Sequence, residues 1–530
     1  MRRWNGWGDD AEGFALPESA APFLERAVGG SRPPRDATLS EVCAQVPSSR
    51  LPAHPRVSTE ESDRVRHSRG QSLPDWIAVR SGRLGVLPDG VAHPTSSAEV
   101  RELLAWAGEV GARVIPYGGG TSVVGHVNPL ASDAPVLTLD LGALDGLLSF
   151  DEKSQLATFG AGVRGPVLEA RLNERGYTLG HFPQSFELAT LGGWVATRSS
   201  GQQSIKYGRI EQLFAGGHLE SPAGELELSP FPASAAGPDL RELILGSEGR
   251  LGVLTEATVR VVPKPEREAF HAVFFPGWEE GMEATRRIAQ AGLPLAMLRL
   301  STAEETATNL ALAGHRRLLN ALEKGLAVFG AGERKCMLIV GFAGRERMVE
   351  ASRKEALAIA KGEDGLHLGK TFGHQWHKNR FRAPYLRNEL WERGYAVDTF
   401  ETALTWTKVP AYVAAVTAAI RDGLADEGEK VHVFTHLSHL YPSGSSAYTT
   451  YLFRLDADPE VNLRRWQKLK DAASKTIVER GGTISHQHGV GVDHKEYLEQ
   501  EKGPLGIQAI EQACRLFDPA GILNPGKLVD

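Results

Sequence analysis

His486 and His488 flank Gln487 in the stretch GGTISHQHGVG, residues 481–491. An imidazole pair set among glycines can hold a metal ion, or it can accept and return protons near neutral pH. A second reservoir, VHVFTHLSHLYPSGSSAYTTY at 431–451, carries His432, His436 and His439. On a strand, the even and odd spacings from His432 put His436 and His439 on opposite faces. Arg299, in LAMLRLS, is a charge set among apolar residues, where a guanidinium needs an anionic partner.

Three glycine-bearing segments could hold a large polar ligand. In PYGGGTSVVGH, residues 116–126, three glycines follow a strand, so backbone N–H groups can approach a phosphate without side chains in the way. The loop fails the Rossmann pattern, because Val123 stands where the third glycine belongs, and it lacks the GK[ST] of a Walker loop. PQSFELATLGGWVATRSSG at 183–201 alternates small and hydroxyl residues with glycines, and GSEGRLGVLTEAT at 246–258 sets small residues around a glutamate before a β-branched strand. Three such segments in one region favour a large cofactor.

The elements that must position these groups are mixed. From Ile77, IAVRSGRLGVLPDG reads as extended chain. SSAEVRELLAWAGEVGA then reads as a helix, with Ser96 and Glu99 as a capping box, Val100, Leu103, Leu104 and Ala107 on one face, and Gly111 as the stop before an RVIP strand. VLTLDL and LATFGAG read as strands, and GPVLEARLNERG as a short helix. Beyond a boundary at Pro263 and Pro265, AVFFPGW, a helix around 278–291 and LAMLRL open a second α+β region. HRRLLNALEKGLAVFG at 315–330 spaces Leu318, Leu319, Leu322 and Leu326 along one helical face, the pattern of a core-packing stripe.

A chain of 530 residues, 42% hydrophobic and 23% charged, is too long for one core and predicts two or more domains. Its charges are interspersed with a net of −6, so no basic face tracks a nucleic-acid backbone. Cys43, Cys336 and Cys514 are too scattered for a disulfide framework or a thiolate zinc site, which fits a reducing cytoplasm. After two arginines the N-terminus turns polar and acidic, so no export signal is expected, and Trp4 and Trp7 are expected to dock on the main body. No apolar window reaches the ~18–20 residues of a membrane span.

Together PYGGGTS, QSFELAT, TRSS and EGRLGVL, in this order and spacing, resemble the flavin-binding segments of the vanillyl-alcohol-oxidase-type, or PCMH-type, FAD enzymes. With RWNGWG near the start and SHQHGVG near the end, the chain looks most like the alkyldihydroxyacetonephosphate synthase (alkylglycerone-phosphate synthase) family. The resemblance implies an α+β fold. An extension at 1–80 would pack on the body, and a two-subdomain PCMH-type FAD-binding domain would span 81–265. An α+β cap that takes the substrate would span 266–500, and a C-terminal segment at 501–530 would return to the FAD domain.

By the same likeness FAD lies on Pro116, Tyr117, Gly118, Gly119, Gly120, Thr121 and Ser122. It is wrapped by Gln184, Ser185, Phe186, Glu187, Leu188, Ala189 and Thr190, by Thr197, Arg198, Ser199 and Ser200, and by Glu248, Gly249, Arg250, Leu251, Gly252, Val253 and Leu254. Thr121 stands where relatives with a covalent flavin carry histidine, so FAD is expected to be non-covalent. Tyr448 matches a catalytic tyrosine, Arg387 a substrate arginine suited to bidentate grip of a phosphate or carboxylate, and Arg299 an arginine near the active site. His486 and His488 fall on the substrate side of the flavin, with Gln487 replacing the middle of three family histidines. His181 is a lesser candidate for proton transfer, with a structural role equally open. Metal-dependent 2-hydroxyacid dehydrogenases of the superfamily carry HxGDGNxH and a glutamate before the last histidine. HLSHLYPS and Gln487 stand here instead, so no metal is expected.

The activity implied is exchange of the acyl chain of acyl-dihydroxyacetone phosphate for a long-chain alcohol, without net redox change. The alternative is an FAD-linked 2-hydroxyacid dehydrogenase or oxidase, which the same architecture supports. A cytoplasmic enzyme is expected, with room for peripheral contact at the inner membrane face and for a homodimer. The leucine stripe at 315–330 falls in a region that in the synthases lies near a lipid-accessible tunnel.

Overall fold

The computed structural model describes residues 2–312, 325–326 and 330–530. Of the leucine stripe expected over 315–330, only Leu326 falls within them, and it is buried. Strands β1 (Val57–Ser58), β2 (Gly90–Ala92), β3 (Arg113–Tyr117) and β4 (Val136–Asp140) form a sheet of order β1-β2-β4-β3 in which β2, β4 and β3 run parallel. Helix Ser97–Glu109 crosses from β2 to β3 and buries Val100, Leu103, Leu104 and Ala107, the face its periodicity predicts. Ser96 accepts from the Glu99 N–H, but the Glu99 carboxylate takes the Thr95 N–H rather than that of Ser96, so the box is half formed. The glycine loop leaves the carboxyl end of β3, the edge of a parallel sheet where ligands sit.

One segment departs from its sequence pattern. Leu73–Ser81 is helical where extended chain is expected from Ile77. Ser72 and Asp75 make a complete capping box and Pro74 sits in the first turn, so the start signal lies just upstream of the apolar run.

A second, antiparallel sheet orders β5 (Leu147–Asp151), β6 (Leu156–Gly160), β8 (Phe214–Ser221), β9 (Gly224–Leu228) and β10 (Val253–Arg260) as β5-β6-β10-β8-β9, while β7 (Tyr177–Thr178) pairs with β11 (Val262–Pro263). The third sheet takes β12 (Arg267–Phe275), β13 (Leu295–Ser301), β14 (Cys336–Gly344), β15 (Leu366–His367), β16 (Tyr395–Thr405), β17 (His432–Tyr441) and β18 (Gly444–Arg454) in the order β15-β12-β14-β13-β17-β18-β16. Trp7 is buried in the core beneath this third sheet with Trp76, and Trp4 packs on a smaller cluster around Val65 and Val79. The last residues return to the first two sheets. Leu498, Cys514, Leu528 and Val529 join the core of the second sheet, the Val114 N–H donates to Ile522 O, and Asn524 N donates back to Val114 O.

Beneath the first sheet, His67 is buried between Asp140, 3.0 Å from its Nε2, and Asp63, 3.1 Å from its Nδ1. Burial works against the imidazolium, but the two carboxylates raise its pKa to about 10, and His67 in turn depresses both carboxylates despite their burial. The raised histidine contributes stability in full below its unfolded value of 6.5 and loses it as pH climbs toward about 10. The depressed carboxylates contribute above their unfolded value of 3.8 and lose it on acidification. Thermal midpoints are therefore expected to peak between about pH 4 and 6.5 and to fall on the alkaline side, with His67→Gln flattening the alkaline limb.

Candidate active site

A single cavity runs from the glycine loop to the third sheet. At one end the glycine loop is held in shape by close contacts: a Cβ at Gly119 would meet Leu188 O at 2.0 Å, and Gly120 has φ +62. Among the described residues, the N–H groups of Gly119, Gly120, Thr121 and Ser122 meet no protein acceptor, so they are free to donate to a phosphate. The wall there takes Pro116 to Ser122, Gln184, Ser185, Ala189, Thr190, Thr197, Ser199, Glu248, Gly249, Gly252 and Leu254 from the sequence-derived set. An FAD pyrophosphate on the loop and a ring system against the flanking small residues fit this surface.

The rest of that set lies behind the wall. Phe186 stacks on Phe381 at 4.8 Å, Glu187 accepts from the Tyr385 hydroxyl at 2.8 Å, and Leu188 packs on the main core. Arg198 pairs with Glu242, and the Ser200 hydroxyl lies 3.0 Å from His439 Nδ1. Arg250 donates to Leu523 O and Asp530 O, while Leu251 and Val253 are core residues.

Glu248 carries a role that its motif does not reveal. It sits buried at φ +54, and its two carboxylate oxygens accept the N–H groups of Val490 at 2.6 Å and Gly491 at 2.8 Å, pinning the HQHGVG loop to the flavin side. Gly489 must be glycine there, because its φ is +79 and a Cβ would lie 2.5 Å from His126 Nε2. Glu248→Ala strands two N–H donors and is expected to cost roughly 2–5 kcal/mol of stability and to loosen the flavin. Thermal unfolding and flavin release on dilution measure both.

The third sheet supplies the other wall. Its alternation brings Val397 and Thr399 of β16, His432, Phe434 and His436 of β17, and Tyr448, Thr450 and Leu452 of β18 into the cavity on one face. His436 stacks on Tyr448 with centroids 5.0 Å apart. The expectation that His436 and His439 fall on opposite faces fails, because the register slips between Leu437 and Leu440. Ser438 and His439 together oppose Ser446, and this bulge puts His439 on the same sheet face as His436, beside Glu401 and outside the cavity lining.

Tyr448 donates its hydroxyl to Thr399 Oγ1 at 3.0 Å, and its ring meets that of His488 edge-on at 5.8 Å. Burial raises the Tyr448 phenol above its ordinary range and pulls the His488 imidazole down to about 4, so at neutral pH one is a proton donor and the other an acceptor. Arg387 lies over the Trp76 ring at 4.5 Å and donates Nη1 to Gln71 O, while its buried Nε and Nη2 have no partner among the described residues. Arg299 is already paired. Its Nη2 reaches Glu305 Oε1 at 2.5 Å and His436 Nδ1 at 3.1 Å, and despite burial Arg299, with His436 beside it, holds the Glu305 carboxyl down at about 2. The anionic partner its setting demands comes from the chain itself, which leaves Arg387 as the open anion site.

His486 and His181 lie outside the cavity lining. His486 Nε2 is 2.7 Å from the Tyr441 hydroxyl and its Nδ1 faces Glu401, whereas the adjacent Gln487 lines the cavity and donates to Glu401 Oε2 at 2.6 Å. His181 is buried against Trp194, 3.2 Å from Ser199 Oγ, and burial lowers its pKa to about 3. Glu305, Glu401 and Tyr441 escape the sequence reading, since each is an isolated residue on an ordinary helix or strand.

Family models place an FAD binding domain over residues 88–228 and the C-terminal domain of FAD linked oxidases over 264–528. The chain is 29% identical over 529 residues to alkyldihydroxyacetonephosphate synthase of Dictyostelium discoideum, covering 98% of this chain and 85% of that protein. It is 30% identical over 475 residues to the enzyme of the same name from Trypanosoma brucei brucei, covering 88% and 77%. A solved structure of an alkyldihydroxyacetonephosphate synthase superposes with a TM-score of 0.85 at 26% identity, over 99% of this chain and 98% of that one. The α+β, PCMH-type arrangement is the fold of these matches, and FAD is the cofactor of the cavity.

Proposed function

The chain belongs to the alkyldihydroxyacetonephosphate synthase family, and from that membership we propose that it exchanges the acyl chain of an acyl-dihydroxyacetone phosphate for a long-chain alcohol. The observation that carries this reading is the division of one cavity into three stretches. A glycine loop and its flanks suit FAD, the unpaired Arg387 suits a phosphate, and Phe23, Leu24, Leu386, Leu390, Phe434 and Leu452 suit an alkyl chain.

Arg387 holds the phosphate through Nε and Nη2, orienting the carbon that bears the ester oxygen toward Tyr448 and His488. His488, neutral and facing the cavity, accepts the proton from that carbon at an imidazole nitrogen. Tyr448, kept protonated, donates toward the departing carboxylate and shields the site from water with His436 stacked behind it. FAD, when bound, supplies an electrophilic ring that no side chain offers. Thr121 presents no ring nitrogen to it, in keeping with non-covalent binding. Because both substrates are lipids, we place the enzyme in the cytoplasm against a membrane face. Among the described residues no helix is long and apolar enough to cross a membrane.

The test gives FAD-loaded protein palmitoyl-dihydroxyacetone phosphate and isotope-labelled hexadecanol, with no electron acceptor, and looks for labelled ether by mass spectrometry. Ether is the expected product. Its absence with flavin bound, together with bleaching of the flavin by a 2-hydroxy acid, would move the function to the dehydrogenase alternative.

A further inference from the structure

We propose that Glu401 of β16, His439 of β17 and His486 of the loop after helix Pro459–Glu479 form a binding site for a divalent transition-metal ion of the zinc class. The inference does not rest on the synthase reading. All three side chains are buried, at 1%, 4% and 5% exposure, behind the cavity wall rather than in it.

One atom from each converges on a common point, all within 4.8 Å of one another. Glu401 Oε1 is 3.3 Å from His486 Nδ1 and 3.8 Å from His439 Nε2. Zinc bonds of about 2.0–2.2 Å at tetrahedral angles put ligand atoms roughly 3.3–3.5 Å apart, so one pair already has that spacing and small side-chain shifts bring in the rest. Glu401 Oε1 and His486 Nδ1 are buried, yet neither has a hydrogen-bond partner among the described residues, although they face each other. Two buried polar atoms facing each other at this spacing, with His439 Nε2 turned to the same point, offer a cation three ligand atoms at once.

The far side of each group is already held. Ser200 and Ser204 hydroxyls lie 3.0 and 3.1 Å from His439 Nδ1, the Tyr441 hydroxyl 2.7 Å from His486 Nε2, and Gln487 donates to Glu401 Oε2 at 2.6 Å. Such outer partners fix the orientation of metal-bound imidazoles and carboxylates. Arg209, whose charge acts on this cluster, is committed to Glu211, Arg198 O and His486 O. The carboxylate here comes from a strand, not from the residue before the last histidine, where Gln487 stands. An ion at this point ties two cap strands to the loop that presents His488, a positioning role.

The test uses full-length, FAD-loaded protein stripped with a chelator and then given Co²⁺ alone. One equivalent is expected to bind, giving d–d absorption on the long-wavelength side of the flavin bands, and Zn²⁺ is expected to displace it and raise the thermal midpoint. E401Q is expected to weaken binding by roughly 100-fold or more. If E401Q does not fold, H439N gives the same reading. E225Q, in the surface trio with His218 and Glu220, is expected to leave the signal intact. Absence of d–d bands in the wild type, or equal bands in E401Q and H439N, overturns the proposal. So does NMR detection of a His486 imidazolium at saturating Zn²⁺, which would assign the cluster to a buried ion pair.

Discussion

Arg387→Met is expected to lower kcat/KM for the phosphate-bearing substrate by roughly 10²–10⁴ while the flavin stays bound. Nε and Nη2 of Arg387 are buried and unpartnered among the described residues, and the side chain lines the cavity, so each is left to make a charge-assisted bond to the ligand. Such bonds contribute about 1.5–3 kcal/mol apiece, and about 1.4 kcal/mol is a factor of ten in rate. Methionine keeps most of the packing on Trp76, which separates lost grip from lost fold. Arg387→Lys restores a charge without the fork and should recover only part of the loss. Steady-state kinetics with the flavin spectrum as an internal control measure this. An unchanged kcat/KM would remove Arg387 from substrate binding.

Tyr448→Phe is expected to reduce kcat by roughly 10²–10⁴ with little change in KM or thermal stability. The change removes one hydroxyl whose partner is Thr399 Oγ1, and leaves the stack on His436 in place. The pH profile gives a second readout. The acceptor must be neutral, so kcat/KM should fall on acidification through about 4, the value set by burial of His488, and not through the ordinary histidine range. His488→Asn should abolish that limb, whereas an unshifted limb near the ordinary histidine value would exclude His488 as the acceptor.

Much of the frame is legible in the residues. The helix Ser97–Glu109 buries the four positions its spacing selects, and the glycine loop sits at the carboxyl end of β3 as its composition demands. The groups that complete the site are less legible. Glu305 neutralises Arg299, Glu248 holds the HQHGVG loop, and Glu401 sits beneath it, yet each is a lone glutamate whose partner is brought in only by the fold. The placement of His439 was lost for a different reason. Period-2 counting assumes an unbroken ladder, and one extra residue opposite Ser446 reverses the side. In sequence His181 is open equally to proton transfer and to a structural role, and its full burial against Trp194 is visible only in three dimensions.

The stitching of β3 and its loop to the far end of the sequence sets an order on biosynthesis. Val114 exchanges backbone bonds with Ile522 and Asn524, the Asn524 side chain donates to His126 O at a separation of 398 residues, and Lys527 Nζ donates to Asn128 O at a separation of 399. On a translating ribosome the phosphate loop therefore waits, with its strand edge unpaired, until almost all of these 530 residues have emerged. Flavin capture is consequently a late, post-synthetic event, and nascent chains stalled before residue 518 should engage chaperones without acquiring the yellow cofactor.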